Sequence, residues 1–346
     1  MTTLITADIG NAMTKFRRAG SAWDLEPSLV RTPDRAGYRF DDQSAPRPLT
    51  YLDGPARIAA TPALIGRDAQ RFGVHDQSIV GSAEMRARSD AYLLLHLWSI
   101  LASLPSGVTE ASIAFAGGLP VEDYTNRAVS EIIKGRLRGT HRLRWGDMEY
   151  RITIEKILLV PQPIGALATL LITTDGRMRT NGDLRRTRLI LDIGGGTTDY
   201  TGRRGLDLIP GTEGGIALGV VSAAERATSL IRARLPRLRS LSASQVLEQM
   251  QTATPTISLA GEPTDVQAEI AEAQHQVAGE IVRHVSRPWA SSLEQGEVLL
   301  SGGGGEVMAG SISTAFGGVT RVTLLPHAIF RIADGIERLA KNKMGA

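Results

Sequence analysis

Apolar positions along this chain follow two patterns: short hydrophobic runs that end in aspartate and glycine, and longer stretches with apolar residues at helical spacing. The clearest run reads Leu189-Ile190-Leu191-Asp192-Ile193-Gly194-Gly195-Gly196-Thr197-Thr198-Asp199-Tyr200. Its partly β-branched start predicts a buried strand that delivers Asp192 to its end, and the glycines let backbone N–H groups approach an anion closely. A second copy lies at the N-terminus, residues 4–16, and overlays without a gap: Asp8 on Asp192, Ile9 on Ile193, Gly10 on Gly194, Thr14 on Thr198 and Phe16 on Tyr200. Residues 21–25 and 205–209 both read as a third strand after a short basic turn. A strand, Asp-x-Gly turn, strand, turn, strand unit repeated half a chain apart predicts two similar α/β domains, each offering one turn to the same phosphates.

Between the copies, the Pro-, Gly- and Asp-rich region of about 31–85 predicts a small inserted subdomain, with strand-like pieces at 56–60 and 63–65. Residues 89–104 read as a mostly apolar helix, and 111–116 as a buried strand ending in a turn at Gly117-Gly118-Leu119-Pro120. A helix over 126–137 precedes a hairpin, 142–145 and 150–154, and then a further buried strand, 157–160. Pro161 and Pro163 stop that strand and hold Gln162 at its tip, in front of a helix over 166–172. A side-chain amide fixed there can orient water; capping the helix is the alternative role. Residues 173–187, with Asp175-Gly176 and Asn181-Gly182, mark the inter-domain crossing.

In the second half, Pro210 to Gly215 reads as a glycine loop running straight into a helix over 216–233, so Gly214 and Gly215 are candidates for phosphate or ribose contacts. A short helix is expected over 243–250. Thr264 and Asp265 are expected to cap a long helix, with Val266, Ile270, Val277, Ile281 and Val285 on one face, closed by Pro288. His275 and His284 lie on it without a metal partner at i+4 and read as helix-face residues. A short strand at 298–300 leads into Gly302, Gly303, Gly304 and Gly305, which suit a flat ring or sugar lying on bare backbone, or a linker. Strand 319–324 and helix 326–340 close the chain. The expected domains are 1–172, carrying the insertion at about 31–85, and 188–325, with a subdomain at about 222–287. The helix in 326–346 is expected to return to the first.

Composition narrows the classes. With 346 residues, 42% hydrophobic and 22% charged, the chain has room for two proper cores and is neither disordered nor fibrous. The absence of cysteine excludes disulfides, thiolate catalysis and cysteine-bound zinc, and is compatible with a reducing cytoplasm. No apolar run is long enough to cross a bilayer and the first residues lack signal-peptide character, so a cytoplasmic protein without direct membrane contact is expected. Net charge is only +3, and the arginine clusters at 136–144, 177–188 and 232–239 lack the aromatic interleaving of a base-stacking surface.

The three glycine-bearing loops and the turn at Pro161 to Pro163, in this order, resemble the actin-like ATPase superfamily. Residues 8–15 resemble its first phosphate motif, 160–168 its connecting motif, 192–199 its second phosphate motif and 299–306 its adenosine motif. Asp-x-Gly-Asn-x-x-Thr-Lys at the start, Gly118 to Val121 and residues 160–167 are most similar to ParM/StbA-like and archaeal actin-like proteins.

The resemblance implies the ribonuclease H-like actin fold, with two duplicated α/β domains around a nucleotide cleft, and an ATPase that polymerises for plasmid segregation or as a cytoskeleton. It also implies ATP (or GTP) and Mg²⁺ as cofactors, self-association and a DNA-binding adaptor as partners. In that reading Lys15 contacts the β- and γ-phosphates, which Gly10, Asn11, Ala12, Thr14, Gly194, Gly195, Gly196 and Thr197 cradle. Asp8 and Asp192 hold Mg²⁺ mainly through water, Gln162 positions the attacking water, and Gly214, Gly215, Gly302, Gly303 and Gly304 line the rest of the nucleotide. ParM itself is similar to a form with glutamate where this chain has Gln162. A sugar or acetate kinase of the same fold and a non-polymerising assembly or chaperone-type module are the competing classes.

Overall fold

Each apolar run that ends in aspartate becomes an interior strand of its own sheet in the computed structural model, which describes residues 2–33, 45–76, 83–179 and 184–345. The chain divides into two units, 1–180 with 332–346, and 181–331. Asn181 and Gly182 of the expected crossing, and 34–44 and 77–82 of the expected insertion, lie outside the described residues.

The first unit contains β1 (Thr3–Ile9), β2 (Met13–Arg18), β3 (Asp24–Pro27), β4 (Val30–Pro33), β5 (Leu49–Asp53), β6 (Leu64–Ile65), β7 (Gly73–Asp76), β8 (Glu110–Leu119), β9 (Gly139–Trp145) and β10 (Met148–Pro161). Its helices are α1 (Arg67–Phe72), α2 (Ala83–Arg88), α3 (Asp90–Ala102), α4 (Val121–Thr125), α5 (Arg127–Leu137) and α6 (Gln162–Leu171). The main sheet runs β3-β2-β1-β8-β10-β9-β5, and β6-β4-β7 form a small separate sheet. β1, β8 and β10 are mutually parallel, and β1 and β2 form an antiparallel hairpin. Strands buried on both faces read as unbroken apolar runs, and this is why β1 was legible.

The second unit contains β11 (Thr187–Ile193), β12 (Thr198–Arg204), β13 (Asp207–Leu208), β14 (Gly214–Ile216), β15 (Thr256–Leu259), β16 (Glu262–Asp265), β17 (Glu297–Ser301) and β18 (Arg321–Leu324). Its helices are α7 (Val220–Arg234), α8 (Ala243–Gln249), α9 (Gln267–Leu293) and α10 (Gly303–Phe316). The last helix, α11 (Ala328–Met344), passes at residue 332 into the first unit. The sheet order β13-β12-β11-β17-β18 repeats β3-β2-β1-β8-β10, again with an antiparallel hairpin followed by parallel neighbours. No helix among the described residues is long and apolar enough to cross a membrane.

Several expected boundaries move for identifiable reasons. Residues 56–60 form no strand. The strand segments 150–154 and 157–160 are one 14-residue strand, β10, because a bulge between Ile154 and Lys156 absorbs the polar pair Glu155-Lys156 that interrupts the apolar pattern. Gly117 and Gly118 belong to β8 and not to a turn. The helix expected from 216 begins at Val220, because the edge of β12 captures Gly214–Ile216 as β14, pairing Thr198 with Ile216. Asp265 accepts from the Gln267 N–H at 2.8 Å, yet it lies in β16 and Val266 is the N-cap of α9. Pro288 lies inside α9 and does not end it. Proline there removes a helical N–H, at a cost of about 3 kcal/mol, but the apolar face continues through the fully buried Trp289 to Leu293 and keeps the helix packed.

α3 is apolar all round and buried, with His96 in its middle. The His96 Nδ1 lies 2.8 Å from the Tyr92 carbonyl, which can only accept, so Nδ1 carries the proton. The ring meets Tyr92 and Phe115 edge-on, and burial pushes its pKa down to about 4 although the Tyr92 carbonyl acts the other way. The folded value lies below the unfolded one, so the unfolded chain binds the proton first. Stability is full above pH 6.5 and falls as the pH drops toward 4, by about 3 kcal/mol in total. Urea unfolding of wild type and His96→Phe at pH 7, 5.5 and 4.5 should show the variant losing distinctly less stability over that range; parallel losses would contradict the neutral buried ring.

Candidate functional site

The two hairpin turns are built alike. In the first unit Asp8 pairs across the hairpin with Lys15, and Ile9 with Thr14; the turn closes by a 3.1 Å bond from the Gly10 N–H to the Met13 carbonyl. In the second, Asp192 pairs with Asp199, Ile193 with Thr198, and the Gly194 N–H donates to the Thr197 carbonyl at 2.8 Å. Among the described residues the N–H groups of Asn11, Ala12, Gly195 and Gly196 meet no protein acceptor, so both turns present unspent donors.

In the first unit Asp8 is almost wholly buried, 1% exposed, and both its oxygens are engaged. Lys15 Nζ lies 3.3 Å from Oδ2, and Gln162 donates from Nε2 to Oδ1 at 2.7 Å. A carboxylate only accepts, so the amide must turn its NH₂ to Asp8, leaving Gln162 Oε1 as a free acceptor. Gln162 is held there because Pro161 ends β10 and α6 starts at once. Gly118 of β8 lies against both groups: a Cβ there would come within 2.9 Å of Asp8 Oδ1 and 3.0 Å of Gln162 Cγ. Thr14 is fully buried, its hydroxyl is shared with Ser28 at 2.8 Å, and its backbone lies between β1 and β3, opposite Ile9 and Glu26.

In the second unit Ser301 Oγ, at the end of β17, donates to Asp192 Oδ1 at 3.1 Å. Cross-strand partners share a face, so Asp199 adds a second carboxylate where the first turn carries Lys15. The glycines after β17 are packed rather than bare. A Cβ on Gly302 (φ +83°) would stand 2.3 Å from the Ile193 carbonyl, and one on Gly304 2.7 Å from that of Gly194. Gly303 has its nearest neighbour, Ile329, at 3.7 Å and is the more open position. α7 is fastened to the same turn: Val220 and Val221 donate to the carbonyls of Gly194 and Gly195 at 3.1 and 2.8 Å, and a Cβ on Gly219 would meet the Gly195 carbonyl at 2.4 Å. The first N–H groups of α7 are therefore spent on protein.

Residues 6–165 match the family Actin like proteins N terminal domain, and residues 190–314 match Archaeal actin homologue MreB-like, C-terminal. The chain belongs to the actin-like superfamily. Among solved structures this actin-like chain is similar to Ta0583, an archaeal actin homologue, with 15% identity, 99% of this chain and 100% of the other covered, and a TM-score of 0.78. It is similar to the actin-like protein Alp7A at 15% identity, covering 100% and 97%, with a TM-score of 0.77. A ParM from Clostridium botulinum, solved as a 15-stranded filament, shares 16% identity over 98% and 99%, with a TM-score of 0.72. These likenesses establish the actin-like ATPase fold. No curated protein sequence matches the chain.

Within this actin-like frame the structure gathers Asp8, Lys15 and Gln162 around the turn of Gly10, Asn11 and Ala12, and gathers Asp192, Gly302 and Gly304 around Gly194 to Thr197. Gly214 and Gly215 stand in β14, opposite Tyr200 and Asp199, which puts Gly215 beside the second carboxylate of that turn. Two contributors were not among the expected site residues, Gly219 and Ser301, and Gly118 was expected in a turn after its strand. Ser301 heads the Ser-Gly-Gly-Gly-Gly run and was visible by position. Gly219 had no local signal, because what excludes a side chain there, the Gly194 and Gly195 carbonyls, comes from elsewhere in the sequence. Among the described residues no three His, Cys, Asp or Glu groups cluster as for a protein-caged metal. One or two carboxylates at each turn fit Mg²⁺, which keeps most of its water.

Proposed function

We propose that this chain is a Mg-nucleotide-dependent, actin-type ATPase that assembles into filaments of its own copies, for DNA segregation or as a cytoskeletal element. The observation that carries this reading is the duplicated aspartate-tipped turn, with one register and one closing hydrogen bond in both units. It is supported by the similar ParM solved as a filament and by Ta0583, also solved with ADP. In this reading the N–H groups of Asn11, Ala12, Gly195 and Gly196 bind the phosphates, and Lys15 leaves Asp8 for the β- and γ-phosphate oxygens. Asp8 and Asp192 would hold Mg²⁺ through its water, and the ion would neutralise phosphate charge. Gln162, its NH₂ fixed on Asp8, presents Oε1 to the attacking water. Positioning of this kind carries most of phosphoryl transfer, so a side chain that is a poor base is adequate.

Light scattering and phosphate release followed in one sample after adding Mg-ATP test this proposal. Concentration-dependent scattering with release is expected. Release only with a sugar or acetate present would point instead to a kinase, and binding without either to a chaperone-type module. Gln162→Ala should slow release by about a hundredfold while nucleotide affinity stays within a few-fold of wild type. Equal losses in both would remove Gln162 from the water-positioning role. In the segregation role a DNA-binding adaptor is the required partner, and co-sedimentation with the filaments would identify it.

A further inference from the structure

Behind the first turn lies a charged cluster that the proposed chemistry does not use. Arg17, two residues beyond Lys15 on β2, points to the same face of the strand as Lys15, since Thr14 and Phe16 fill the core on the other. Its guanidinium grips Glu337 of α11 with two bonds, Nε to Oε2 at 2.6 Å and Nη2 to Oε1 at 3.0 Å. Lys341 takes Oε1 as well, at 2.7 Å, and Asp334 stands 3.6 Å from Arg17. Trp23 covers the guanidinium at 4.2 Å, and Arg17 Nη1 donates to the Ser21 carbonyl at 3.3 Å. Glu337 is 1% exposed. Burial pushes its pKa up, but Arg17 and Lys341 outweigh this and hold the carboxyl below the usual range, so it stays ionised.

The same helix braces the other two members of the site. Ile336 Cδ1 lies where a Cβ on Gly118 would touch it, at 2.9 Å, directly beside Asp8. Gly335 crosses Gly165 of α6, and Arg338 Nη1 donates to the Thr169 and Ile172 carbonyls at the far end of α6, at 3.0 and 2.8 Å. Thus α11 touches β2, which carries Lys15, the neighbour of Asp8 on β8, and α6, which carries Gln162. β2 is bonded in-plane to β1 and β3, but those bonds do not set its height above the helix layer. The bidentate Arg17–Glu337 pair adds a link in that direction, because guanidinium and carboxylate lock in one planar geometry.

We infer that Glu337 is a positioning residue for Lys15: through Arg17 it ties the phosphate hairpin to α11, and so keeps the Lys15 ammonium at the depth of Asp8 and Gln162. This deepens the proposed function and rests on it for its nucleotide arm. A double-mutant cycle tests it, with affinity for a fluorescent Mg-ATP analogue measured on wild type, Glu337→Ala, Lys15→Ala and the double variant. Glu337→Ala should weaken binding about tenfold in the wild-type background and less than twofold when Lys15 is already gone. Glu337→Gln, which keeps the shape and one acceptor, should fall between and guards against misfolding of the alanine variant. Hydrogen exchange of the amides of residues 10–18 supplies a readout that needs no nucleotide and should speed up several-fold in both Glu337 variants. Additive effects in the cycle, or unchanged exchange in residues 10–18, would overturn the inference. A wild type that binds no Mg-ATP would instead refute the proposed function, and the exchange measurement would still decide the role of Glu337.

Discussion

Gly335→Ala should destabilise this protein by about 3 kcal/mol or more, seen as a lower urea midpoint with an unchanged slope. A Cβ at this position would stand 1.7 Å from the Gly165 carbonyl oxygen and 2.5 Å from its carbon, and both are backbone, so nothing can rotate away. The reverse substitution meets the same wall, since a Cβ on Gly165 would lie 2.4 Å from the Ile332 carbonyl. In an isolated helix alanine is preferred to glycine by about 1 kcal/mol, so the clash must first overcome a gain. The internal control is Gly279 in α9, where a Cβ meets nothing within 4 Å. Gly279→Ala should stabilise by up to about 1 kcal/mol. Equal stability of the two alanine variants would show that α6 and α11 do not cross backbone to backbone.

Asp8→Asn and Asp192→Asn should each weaken Mg-nucleotide binding by about tenfold to a hundredfold. They should do so by different local routes. The first leaves Lys15 without its carboxylate and lets the Gln162 amide turn, because an asparagine side chain no longer dictates which end of Gln162 faces it. It should therefore also depress turnover of whatever nucleotide still binds. The second leaves Ser301 an amide oxygen to donate to but removes the negative charge beside the packed Gly302, and should act mainly on affinity. Titration calorimetry with Mg-ADP, together with single-turnover phosphate release, separates the two. Should either variant bind as tightly as wild type, the duplicated turns are structural hairpins and the functional reading falls.

How much of this was legible depended on whether a residue's neighbours in space were also its neighbours in sequence. The hairpin turns are local: Asp8 and Lys15, or Asp192 and Asp199, face each other seven residues apart, so the repeat in the sequence is the repeat in the sheets. Gln162 could be placed at a strand tip because Pro161 and Pro163 act on the adjacent backbone. What it bonds to, a carboxylate 154 residues earlier, could not be seen. The glycines were the most misleading signal. Read locally, Gly302 to Gly305 meant an open face, whereas Gly302 and Gly304 are glycine because the Ile193–Gly194 carbonyls leave no room for a methyl group. Pro288 and Ile216 show the other limit: Trp289 burial and the edge of β12 each overrode a sound local rule.

From the sequence alone came the aspartate-tipped hairpins, their duplication and the family resemblance, because hydrophobic period, turn chemistry and motif register are carried by residues a few positions apart. Only the tertiary structure decided that Asp8 orients Gln162, that Ser301 steadies Asp192, and that Arg17 and Glu337, 320 residues apart, join the first hairpin to the last helix. Those contacts depend on the height at which separate layers pack, and packing distance is a property of all the side chains between two layers together, written in no single stretch of the chain.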